Sequence, residues 1–226
     1  MLFDDRLLHG WKDIANFLCN LLDTGGVPGE NDKPMPPPRA NWSFIAAPLV
    51  FGASTFYWTN GSYGITGGTL LSLSTVAWVV AFNCLFGWFR ERLPLYASAG
   101  LLFAVWGAIS GACFGLADVF TTAFGIPHPV YLKVVSEHSL AFNLLLFWPG
   151  PLFPLSLLVL SILLIRHRLL PVLPGVMLAM GAVLFPLSRI SRIEGLAHLA
   201  DGLLALPFWY MGFAGPAPRR AEGPAI

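Results

Sequence analysis

The apolar positions of the chain change their period once, near residue 41. In residues 4–22, Leu7, Leu8, Trp11, Ile14, Ala15, Leu18, Leu21 and Leu22 recur at i, i+3, i+4 and i+7, with Asp4, Asp5, Arg6, Lys12 and Asp13 mostly between them. That spacing predicts an amphipathic helix. Residues 23–40 then carry Gly25, Gly26, Pro28, Gly29, Pro34, Pro36, Pro37 and Pro38, a composition that favours extended polyproline conformations and interrupts helix. Beyond it the periodicity gives way to long apolar blocks at 42–59, 67–89, 95–117, 137–165, 171–187 and 193–214. Segments that are apolar on every side are solvated by lipid, so six membrane spans are predicted.

The fourth block is too long for one straight crossing at ~1.5 Å per residue. Pro149, Gly150, Pro151 and Pro154 interrupt it and predict a kink or a break there. Trp42, Tyr57, Trp58, Trp88, Tyr96, Trp209 and Tyr210 fall near the predicted span ends, as an aromatic belt requires. With six spans, Arg6, Lys12, Lys33, Arg39, Arg90, Arg92, Arg166, Arg168, Arg219 and Arg220 share one side, leaving Lys133, Arg189 and Arg192 on the other. The positive-inside rule then puts both termini in the cytoplasm, and the expected location is the bacterial inner (plasma) membrane.

Composition agrees with the pattern: 56% of the residues are hydrophobic and 11% charged, too few charges for the surface of a water-soluble domain. The net charge of +1 excludes the concentrated basic face that nucleic acid demands. Cys19, Cys84 and Cys113 are widely spaced and suggest neither a disulfide framework nor a metal-binding pair. The expected organisation is an all-α polytopic membrane bundle. It has an amphipathic cytoplasmic helix at 1–22, a Pro/Gly-rich linker at 23–40, a six-span membrane domain at 41–214 and a flexible tail at 215–226.

Candidate chemistry concentrates in residues 188–201, where ionisable side chains recur at the start of the last span. The predicted topology brings Asp118, His128, Glu137, His138, Arg189, Arg192, Glu194 and His198 to one non-cytoplasmic layer if their helices are neighbours. Glu194, His198 and Asp201 are spaced i, i+4, i+7 and share a helix face. A charged carboxylate facing lipid at the depth of Asp201 costs several kcal/mol, so it must face the bundle interior, find a partner or be protonated. Competing with function are a capping box in Ser191-x-x-Glu194, an N-cap at Ser136, and a hydrogen-bonded pair of His198 with Asp201.

Arg189, Arg192, Glu194, His198, Asp201, Glu137 and His138 are therefore the candidates for ligand or proton handling. His138 and His198 could ligate a haem, or a metal together with nearby carboxylates. Gly107, Gly111 and Gly115 form a GxxxGxxxG face suited to close helix packing, within the chain or between subunits. No nucleotide, nucleophile-elbow or zinc-hydrolase motif supports an enzyme. The first expectation is thus an accessory or structural subunit of a membrane complex, without catalytic activity of its own, in contact with lipid and with other membrane subunits, with helix 4–22 as a candidate contact. The second is a small transporter that handles an anion or protons, and the third a haem- or metal-binding redox protein or enzyme.

Overall fold

The computed structural model describes residues 42–214; the expected helix at 4–22, the linker at 23–40 and the tail at 215–226 lie outside them. Among the described residues the secondary structure is helical, with a single isolated bridge between Thr59 and Ser62. The helices are α1 Trp42–Thr55, α2 Gly64–Gly87, α3 Pro94–Ala123, α4 His128–Glu137, α5 Ser139–Phe142, α6 Leu152–Arg166, α7 Val172–Ser191 and α8 Glu194–Ala214. Asn143–Phe147 forms a π-helical turn after α5.

Four segments are long and apolar enough to cross a bilayer: Gly64–Gly87, Pro94–Ala123, Ser139–Arg166 and Val172–Ser191. α1 is apolar but has 14 residues, about 21 Å of helix against a hydrocarbon core of about 30 Å. α8 has the length, at 21 residues, but His198 and Asp201 dilute its apolar character. The surface confirms the solvent: Leu95, Ile190, Leu173 and Phe213 are each more than two-thirds exposed, on helices that are apolar all round. The protein is an all-α membrane bundle.

Aromatic side chains fill its centre. Trp78 of α2 meets Phe208 of α8 edge-on with centroids 4.7 Å apart and Phe153 of α6 at 5.1 Å, while Phe51 of α1 packs on Trp78, Phe153 and Phe185. Elsewhere small residues let the backbones touch. A Cβ at Gly115 would lie 2.6 Å from the Gly68 carbonyl oxygen, and one at Gly68 would strike the Gly115 carbonyl in return, so α2 and α3 pack closely there. A Cβ at Gly107 would collide with the backbone of Phe153 at the start of α6. The glycine face of α3 thus serves contacts within the chain at its two ends.

The expected break in the fourth span is present. α5 runs into the π turn, whose Leu146 carbonyl accepts hydrogen bonds from the Ser110 hydroxyl of α3 at 2.7 Å and from the Gly150 N–H at 3.2 Å. Pro149, Gly150 and Pro151 then turn the chain into α6. The bond from Ser110 gives the Leu146 carbonyl a second donor and ties the turn to α3 inside the bundle.

Candidate functional site

The chain between α1 and α2 turns through Asn60 (φ 52°) and Gly61 (φ 86°), with Thr59 and Ser62 exchanging backbone hydrogen bonds of 3.0 Å. Asn-Gly with both residues at positive φ is the preferred two-residue hairpin. It folds Trp58 and Tyr63 back over the ends of α3 and α7. The Tyr63 N–H donates to Asp118 Oδ2 of α3 at 2.6 Å, which ties the hairpin to that helix. Having no side chain, Gly61 leaves room for Arg192, whose Nε would be 3.1 Å from a Cβ there.

Arg189, in the last turn of α7, reaches under this hairpin. Its Nη2 donates to Thr55 Oγ1 at 2.9 Å and lies 3.7 Å from Asp201 Oδ1, an ion pair without a hydrogen bond. The two side chains are 17% and 6% exposed. The guanidinium carbon sits 4.6 Å from the Trp58 ring centroid, 5.3 Å from Phe185 and 5.5 Å from Tyr63, so aromatic faces surround the charge. Burial pushes the Tyr63 phenol up, with Arg189 opposing and Asp201 and Asp118 reinforcing the shift. The phenol therefore stays protonated, a neutral donor, across physiological pH. Arg189 Nε and Nη1 are buried without an acceptor, and neither Asp201 oxygen has a donor.

The Arg189 group forms one end of a cavity of about 730 Å³ between α2, α3, α6 and α7. Its ionisable wall residues Tyr63, Asp118, Arg189 and Arg192 gather at the hairpin, Ser74, Thr75 and Ser110 lie along the wall, and its other end is Trp78, Gly107, Phe153 and Leu158. Gly111 belongs to this wall: a Cβ there would meet nothing within 4 Å. The middle glycine of the GxxxGxxxG face thus opens onto space, while its neighbours seat helices.

The structure divides the sequence candidates. Arg189 and Asp201 come together, with Arg192 and Asp118 at the same cavity end. Glu194 and His198 are exposed, and His198 rests on Phe56 with centroids 4.6 Å apart. Ser191 caps nothing: it is the last residue of α7, and its hydroxyl donates to the Leu187 carbonyl at 2.7 Å. Arg192 closes that helix in the left-handed conformation, so the chain has already turned before Glu194 starts α8. Ser136 likewise lies inside α4 and bonds back to the Lys133 carbonyl. Glu137 and His138 are exposed, Glu137 lying 3.9 Å from Lys133, and their segment packs on α5 and has no substantial packing on α8. His138 and His198 therefore stand on elements that do not share an interface. Among the described residues, no three His, Cys, Asp or Glu side chains come close enough to hold a metal.

Thr55, Trp58, Tyr63 and Phe185 are the site residues that spacing did not reveal. The Asn60-Gly61 pair was the available signal for the hairpin that carries two of them. Comparison of the chain with family models, with curated proteins and with solved structures gives no match.

Proposed function

We propose that the protein handles an anionic solute within the membrane, at the pocket built around Arg189. The observation that carries this reading is the pair of buried donors, Nε and Nη1 of Arg189, left without an acceptor beside a cavity. Nε and Nη1 lie on different edges of the guanidinium, and each can give an oxyanion one charge-assisted hydrogen bond, stronger than a bond to a neutral acceptor. Arg192, which makes no ion pair among the described residues, adds a second cation at the same end. Asp201 offsets part of the charge of Arg189, so the pocket holds its cation ready without the cost of burying it alone.

The arrangement favours the anion-handling reading over the subunit reading. The glycine face is used within the chain at Gly107 and Gly115, which leaves those two positions to internal packing. With both termini in the cytoplasm of a bacterial inner membrane, as the lysine and arginine distribution favours, the pocket faces the non-cytoplasmic side.

Thermal unfolding of the purified protein with a panel of carboxylates and phosphates, with and without alkyl chains at constant ionic strength, tests the reading. A ligand of this pocket at 100 times its Kd stabilises the wild type by about 2.7 kcal/mol. The ligand-induced shift disappears in Arg189→Gln and shrinks in the surface variant Arg192→Gln. The reading fails if no anion shifts the transition, or if both variants respond as the wild type does.

A further inference from the structure

We infer that the solute is a membrane lipid with an anionic headgroup, its chain lying in the cavity and its headgroup at Arg189 and Arg192; this rests on the anion-handling reading above. Three features of the cavity separate a lipid from a small water-soluble anion.

The first is its depth. Along α3, from Asp118 to Gly107, the wall descends about 16 Å at ~1.5 Å per residue, and along α7, from Arg192 to Ala182, about 15 Å. That is half of a hydrocarbon core of about 30 Å, the reach of one leaflet's chains. The second is the order of polarity along that depth. The cationic side chains sit at the helix ends, where headgroups lie; below them the wall is Gly107, Gly111, Phe153 and Leu158 with Ser74, Thr75 and Ser110, whose hydroxyls are spent on the Leu71, Ser72 and Leu146 carbonyls. A small anion bound at the top would leave this apolar space empty, whereas a hydrocarbon chain fills it.

The third is the route in. α3 packs on α2 and α6, α7 packs on α6 and α8, but α3 and α7 have no substantial packing on each other. Phe114 on α3 and Val183, Leu187 and Ile190 on α7 are cavity wall and outer surface at once, with Ile190 80% exposed. The cavity therefore opens sideways into the bilayer along an apolar seam. A lipid diffusing in that leaflet can slide its chain through the seam without exposing it to water, while its headgroup stays at interfacial depth.

The full chain in nanodiscs of phosphatidylcholine, titrated calorimetrically with dodecyl phosphate, inorganic phosphate and dodecanol and corrected with empty nanodiscs, tests the inference. Saturable binding of one dodecyl phosphate per protein is expected, with inorganic phosphate at least tenfold weaker. Gly111→Leu, which fills the open wall, and Val183→Phe, which narrows the seam from the far side, each reduce dodecyl phosphate binding by tenfold or more. Two variants on different helices keep the result readable if one misfolds. Inorganic phosphate binding as tightly as dodecyl phosphate, with Gly111→Leu and Val183→Phe without effect, overturns the lipid inference and leaves the anion reading standing. Dodecanol binding as tightly as dodecyl phosphate, unchanged by Arg189→Gln, overturns both, as does the absence of saturable binding by any of the three.

Discussion

Asp201→Leu lowers the stability of the folded bundle by about 3–5 kcal/mol, because it strands the buried guanidinium of Arg189 without its counter-charge. The two groups face each other at 3.7 Å between α7 and α8, and among the described residues Thr55 of α1 is the only other polar group bonded to the arginine. Arg189→Leu produces a similar loss by stranding the carboxylate. The double variant Arg189→Leu/Asp201→Leu recovers most of it, since a buried pair replaced by apolar groups is close to neutral. Unfolding by denaturing detergent in mixed micelles, with the four proteins compared as a double-mutant cycle, measures the coupling. Additive losses in the double variant would show that the pair does not act as a unit. Such a result would leave the charges facing separate surroundings and would remove Asp201 as the counter-charge of Arg189.

The second large effect lies on the glycine face of α3. Gly107→Ala places a methyl group against the Phe153 backbone, with Phe153 Cα at 2.8 Å and the Leu152 carbonyl carbon at 2.9 Å. Backbone atoms cannot rotate aside, so α3 and α6 must separate, at a cost of about 1–3 kcal/mol or more. Gly111→Ala, one turn away, meets nothing within 4 Å and gains the helix preference of alanine, up to about 1 kcal/mol. Thermal unfolding of the two variants side by side checks the contrast. Equal behaviour would mean that the glycines act only as a stripe and that the open wall at Gly111 is absent.

The contrast between these glycines also shows what a one-dimensional pattern can carry. Spacing placed Gly107, Gly111 and Gly115 on one face, because helical periodicity is a local property. Gly115 meets α2, whereas Gly107 and not Gly111 meets α6 because of where α6 begins, and that is set by the turn at Pro149, Gly150 and Pro151 together with the bond from Ser110 to Leu146. The apolar blocks and the proline break were legible for the same local reason.

The partner of Asp201 was not. Sequence spacing offered His198, at i, i+3 on the same helix, whereas the structure pairs Asp201 with Arg189 across the α7–α8 turn and leaves His198 against Phe56. Ser191-x-x-Glu194 read as the start of a helix, but Ser191 ends the preceding one and the turn falls at Arg192. The aromatic surroundings of Arg189 were hidden differently. Trp58 fits an aromatic belt, a statistical expectation that conceals its return over α7 through the Asn60-Gly61 hairpin. Local rules fix which residues can be buried in lipid; only the packing of α1, α7 and the hairpin decides which charge they surround.

Native mass spectrometry of the protein extracted from its own membrane puts the anionic-lipid site to its most direct test. The wild type should retain one anionic lipid as detergent is stripped away, and Arg189→Gln/Arg192→Gln should lose it while remaining folded. A wild-type protein that flies bare, or an anionic lipid held equally by the double variant, would contradict the site.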